Sequence, residues 1–198
     1  MARITVKTTL GTPANAPYIS SVNGFLRFVG LVNAAVWLGA GIFFAAVVLP
    51  GIFSTDMTRV LGETGYPYYS GAIALVLFKR YFILQYVCGA IALVHLVACK
   101  LYLGRALPRL DAALAGGILV LGLVGGFWLQ PRMVSLRKTM YSSPSLTERD
   151  SARHSFGLWH GISQGANLLV IAGLLVYLMR VARPGESARH GIFTKFWC

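Results

Sequence analysis

The chain has 198 residues, of which 56% are hydrophobic and 12% charged, with 18 Lys and Arg against 6 Asp and Glu for a net charge of +12. Soluble domains carry about 25% charged residues, so a soluble fold of this composition would expose large apolar patches, and disorder needs the opposite balance. An all-α integral membrane protein of one domain remains, a four-helix bundle surrounded by lipid.

In chain order, residues 1–24 form an N-terminal arm rich in Thr, Ala and Ser, and residues 25–49 are the first stretch long enough to cross the roughly 30 Å of hydrocarbon. That stretch is too long for a signal peptide and is expected to stay as a helix. Residues 68–78 are too short to span, and form either an interfacial turn or an outward extension of the second span. The second span covers residues 81–103, the third 111–130, closed by Pro131-Arg132, and the fourth 157–179, stopped by Arg180, Arg183 and Pro184. Ser145-x-x-Glu148 matches a capping box and places the start of the fourth helix outside the membrane. Residues 184–198 form a C-terminal tail.

Four spans put both termini on one side. Ten Lys and Arg lie on that side and eight on the other, a small excess that favours cytoplasmic termini in a bacterial inner membrane. The cations lie singly or in pairs between apolar runs, as on helix ends against lipid headgroups, and no nucleic-acid-binding motif accompanies them. Cys88 and Cys99 are about 16 Å apart along one helix, too far for a disulfide.

Helices in lipid associate through small residues. Gly157, Gly161 and Gly165 repeat every four residues in the fourth span, Gly122 and Gly126 in the third, and Gly41 with Ala45 in the first. These stripes are expected to pack the bundle, with a homodimer seam as the alternative.

Polar side chains within spans are functional suspects. His160, Gln164 and Asn167 follow at i, i+4 and i+7 with Ser163 alongside, at the depth of Gln130 and Arg132 and close to Gln85. They form either a ligand site or interhelical hydrogen-bonding glue. His95 and His160 are candidate single ligands for haem or chlorophyll. Their depths, about 21 Å and about 5 Å from the same side, do not allow both to hold one ring. His95 with Cys99 reads as a small packing face. The six acids sit outside the spans or at their ends, and no nucleophile–base pair, phosphate loop or HExxH occurs. No catalysis, metal or resident cofactor is therefore expected.

Trp128-Leu129-Gln130-Pro131-Arg132 and Trp159-His160-Gly161-Ile162-Ser163, followed by Asn167-Leu168-Leu169, together with Trp37-x-Gly39, resemble the transmembrane protein 205 family and its bacterial counterparts over residues 25–183. The resemblance implies a four-span membrane domain without established enzymatic activity. It also carries Gln130, Pro131, Arg132, His160, Gly161, Ser163 and Asn167 as motif residues. The low-complexity arm and tail lead to the first expectation for function: an accessory subunit of a larger respiratory or photosynthetic membrane complex, its tails gripping neighbouring subunits. A small transporter or ligand-binding protein built on the polar cluster is the second, and tetrapyrrole binding the third.

Overall fold

The computed structural model describes residues 16–103 and 108–183. Most of the N-terminal arm and the whole C-terminal tail, with the partner contacts expected of them, lie outside the described residues. The elements are α1 (Ala16–Phe43), a π-helical turn (Phe44–Val48), α2 (Leu49–Ile52), α3 (Thr55–Leu61), α4 (Tyr66–Leu103), α5 (Arg109–Val124), a second π-helical turn (Gly125–Leu129), α6 (Gln130–Ser142) and α7 (Leu146–Ala182). The protein is an all-α four-helix membrane bundle. Its four long apolar helices run over Val22–Ile52, Tyr66–Tyr102, Arg109–Ser142 and Leu146–Ala182.

Each is longer than the apolar stretch alone. The arm is helical from Ala16, residues 68–78 continue α4 without a break, and α5, the π turn and α6 form one rod that runs past Pro131. At 1.5 Å per residue the 38-residue α4 is about 57 Å long, well beyond the hydrocarbon thickness. Sequence hydropathy marks where lipid ends, whereas a helix continues until its backbone finds a stop. Ser54 caps α3 by accepting the Met57 N–H at 3.2 Å. Ser145 caps α7 by accepting from the Glu148 N–H, and the Glu148 carboxylate accepts from the Ser143 hydroxyl at 2.5 Å. The capping box therefore closes through Ser143, whose oxygen in turn takes the Ser145 N–H.

The helices form a ring in which α1 packs on α4 and α7, and α5 packs on the same two. The half of the bundle nearer the termini is filled by Ala34, Trp37, Leu38, Cys88, Ala92, Leu96, Ala115, Ile118, Val170, Leu174 and Tyr177. At that end Arg180, in the last turn of α7, pairs with Asp111, in the first turn of α5. Each charge also opposes the partial charge of its own helix end. Arg27 donates to the Ala182 carbonyl at 3.0 Å, a further tie between α1 and the end of α7.

The small-residue expectation is correct for part of its list. Gly41 lies beside Tyr81, Gly122 beside Gln85 and Tyr86, and Gly126 against the Tyr86 hydroxyl. Gly157, Gly161 and Gly165 are different: a Cβ added at any of them meets nothing within 4 Å, so they pack no helix of this bundle. Periodicity establishes a smooth stripe but not which neighbour, if any, covers it. Other close approaches lie outside that list. A Cβ at Gly89 would stand 2.7 Å from Leu119 Cδ1, and one at Gly30 would stand 2.6 Å from His95 Cε1.

Gly89→Val should therefore overpack the α4–α5 contact and lower stability by about 1–3 kcal/mol, whereas Gly161→Ala should leave it unchanged. Thermal unfolding of the two variants in detergent measures the difference.

Candidate functional site: an intramembrane cavity

In the half of the bundle away from the termini Phe44, Ile52, Ala74 and Ala152 are buried, but the packing leaves a space. Two helices there meet the same problem, since a proline ring clashes with the carbonyl four residues earlier and donates no N–H. Before Pro50 the Leu49 N–H reaches back five residues to Phe44, and before Pro131 the Gln130 N–H reaches back five to Gly125. Both rods widen into a π turn at that point, a feature frequent at functional sites. Between these turns, α4 and α7 lies a cavity of about 350 Å³, within the range of small-molecule sites.

Its wall is largely apolar and aromatic, with Phe78 and Phe82 of α4 facing Leu129 and Met133, and Phe53 and Phe156 nearby. An aromatic ladder supports the α4 side. Phe44 of the first π turn stacks on Tyr81 at 4.5 Å and meets Phe78 edge-on at 5.0 Å. Phe82 and Tyr86 continue it towards Phe127 of the second π turn. Gly125 and Gly126 give these rings their room, since a Cβ at Gly125 would stand 2.8 Å from Phe82.

Four of the six expected polar residues line this cavity: Gln130, His160, Ser163 and Gln164. Each has a partner within the protein. Gln130 Nε2 donates to the Leu75 carbonyl at 3.3 Å and Ser163 Oγ to the His160 carbonyl at 2.9 Å. Gln164 Nε2 lies 3.4 Å from His160 Nε2, and the imidazole is parallel to the Phe156 ring at 6.1 Å. Arg132 and Asn167 do not join them. The Arg132 guanidinium sits 5.1 Å over the Trp159 ring, which meets Trp128 edge-on, an aromatic and cationic cluster on the outer surface. Asn167 is half-buried on α7 beyond the cavity wall.

Gln85 leaves the cluster altogether. It is buried in the α1–α4 seam, where its Oε1 accepts from Trp37 Nε1 and its Nε2 donates to the Tyr81 hydroxyl at 2.5 Å. Asn33 adds a bond to the Cys88 carbonyl at 3.0 Å one level away. His95 lies in the same seam, buried against Gly30 with Nε2 3.5 Å from Cys99 Sγ. That is the packing role its spacing offered. Among the described residues no three His, Cys, Asp or Glu side chains gather as metal ligands.

The residue that sequence reading passed over is Arg137. It had been counted only as a flanking cation, yet it lines the cavity and is 9% exposed. Its guanidinium donates to the Tyr68 carbonyl and lies 5.1 Å over the Tyr68 ring and 5.8 Å from that of Tyr141. It presses onto the α4 backbone at Gly71, where a Cβ would stand 2.9 Å from Cζ. No carboxylate pairs with it among the described residues.

Gln85→Leu should strand both Trp37 Nε1 and the Tyr81 hydroxyl. At about 0.6 kcal/mol for each interhelical bond in a membrane, the loss should be about 1 kcal/mol. The expected result is a lower unfolding temperature, checked by thermal unfolding in detergent.

No curated protein and no solved structure matches the chain. A family model described as a domain of unknown function, DUF4149, matches residues 32–142. The matched segment runs from α1 to the end of α6 and contains the α1–α4 seam, both π turns and Arg137, while α7 with His160 follows it. Since the match covers more than half of its length, the chain belongs to the DUF4149 family, a family of unknown function.

Proposed function

We propose that this is a ligand-binding membrane protein that takes a largely apolar small molecule into the cavity between its two π turns, as a carrier or small transporter. The cavity itself is the observation that supports this reading. In a bundle closed at the other end by a packed core, an aromatic-walled space of about 350 Å³ has no structural use. His160, Ser163, Gln164 and Gln130 form its polar side. The reading is binding rather than turnover, because the Ser163 hydroxyl is engaged with a backbone carbonyl and no carboxylate lines the wall. The positive-charge count further supports a bacterial inner membrane with cytoplasmic termini. The tryptophan-rich and histidine-rich segments that resemble the transmembrane protein 205 family flank this same cavity. A tetrapyrrole held by His95 or His160 is the weaker alternative.

A second reading, an accessory subunit of a larger respiratory or photosynthetic complex, is supported by a different surface. Gly157, Gly161 and Gly165 lie on a face of α7 that no helix of the chain covers, and such small-residue faces accept a close helix in lipid. Under this reading the native particle released by mild detergent has a defined multi-subunit composition, and Gly161→Leu dissociates it without lowering the stability of the chain itself.

For the binding reading, native mass spectrometry of the purified chain should show a retained small molecule. Met133→Trp, which fills the cavity from α6, should fold normally and lose at least nine-tenths of it. An empty wild-type protein that no added amphiphile stabilises would overturn the proposal.

A further inference from the structure

We infer that the cavity holds a single-chain anionic amphiphile, its carboxylate or phosphate head on Arg137 and its chain running inward over Phe78, Phe82 and Leu129; this rests on the ligand-binding reading above. The head chemistry follows from which polar group of the wall still wants a partner. Gln130 is bonded to the Leu75 carbonyl, Ser163 to the His160 carbonyl, and Gln164 to the His160 ring. These groups are neutral and each already has a partner within the protein. Arg137 alone is a full charge without a counter-charge.

A guanidinium has five N–H groups, and the Tyr68 carbonyl accepts from one of its nitrogens. The Tyr68 and Tyr141 rings offer their faces, which attract a cation but do not neutralise it. A buried charge left unpaired is strongly unfavourable. Among the described residues the wall contains no Asp or Glu to answer it, and in this proposal the ligand's head takes that role. Carboxylate and phosphate are the two groups whose geometry matches the guanidinium fork. Packing at Gly71 holds that fork in place, so it is ordered before any ligand arrives.

The order of groups along the cavity is that of an amphiphile. Arg137 stands seven residues, about 10 Å, along α6 from Gln130 and away from the π turn. It lies where the third rod has passed Pro131 and turned polar, with Lys138 exposed beside it. Inward from it the wall becomes Met133, Leu129, Phe82 and Gly125. Charge lies at the outer end and hydrocarbon towards the membrane interior, so a molecule enters from the leaflet on that side without inverting. The volume, at the low end for small-molecule sites, suits one chain.

The test compares three tritiated probes with the same chain on the purified full-length protein in a non-ionic detergent: palmitate, palmitoyl-lysophosphatidate and 1-palmitoylglycerol. At least one anionic probe should bind ten-fold or more tightly than the neutral one. That ratio should fall to about one in Arg137→Gln and largely survive in Arg137→Lys. Tighter palmitate assigns a free fatty acid, and tighter lysophosphatidate a lipid headgroup. If Arg137→Gln does not fold, the wild-type ratio decides alone, because the neutral probe shares the chain. Equal binding of all three by the wild type overturns the head assignment and leaves the cavity reading standing. Binding of none of them, with Met133→Trp indistinguishable from wild type, overturns both.

Discussion

In a bilayer every backbone N–H and C=O needs a partner inside the protein, because the hydrocarbon offers none. Pro50 and Pro131 sit within that constraint, and each removes a donor from a helix that must nonetheless continue. The answer is the same at both: the residue before the proline bonds five positions back and the turn opens to a π turn. The two widened turns face each other across the half of the bundle that holds the cavity. The aromatic ladder on α4, the glycines at 125 and 126 and the cavity itself follow from their position.

The two halves of the bundle handle polarity in different ways. Towards the termini several polar groups are paired, Trp37–Gln85–Tyr81 and Asn33–Cys88 in the α1–α4 seam and Asp111–Arg180 between α5 and α7, while the buried Tyr177 hydroxyl has no hydrogen-bond partner among the described residues. These ties give orientation and register to helices that lipid does not drive together. On the cavity side the lining polar groups are also hydrogen-bonded, but one carries a charge without a counter-charge. Arg137 is a buried cation cradled by two tyrosine rings and a carbonyl, with no carboxylate in reach among the described residues. A buried cation without a counter-charge is costly, which is the basis of the head assignment proposed above.

Much of the fold was legible because it depends on length and hydropathy. The four spans follow from apolar runs long enough to cross the bilayer, and the start of α7 outside it follows from Ser145 and Glu148. The site was half legible. His160, Ser163 and Gln164 lie on one side of α7 because α7 is a regular helix whose 3.6-residue spacing sorts its faces, and Gln130 of α6 lines the same cavity. Arg132 was grouped with them by depth alone and Arg137 only counted among the cations, since neither reading includes the π turn at 125–129, which inserts a residue into the helical register. Everything beyond it is rotated by about 100° relative to a regular helix, so Arg137 comes to face the cavity and Arg132 the Trp159 surface. Gln85 was misplaced for another reason: depth along a span says nothing about which neighbour a side chain faces.

The amino-acid sequence by itself determined that this is a helical membrane protein, how many times it crosses, and which residue types are too polar to lie in lipid without a reason. Those properties are sums over local segments, set by transfer free energies and helical periodicity. The tertiary structure alone decided which glycines pack, which polar groups pair with each other, and that an arginine beyond the third span closes a cavity. These depend on the rotation of each helix about its own axis and on the order of helices in the ring. Both are set by the mutual fit of four surfaces and two irregular turns, which no single segment contains.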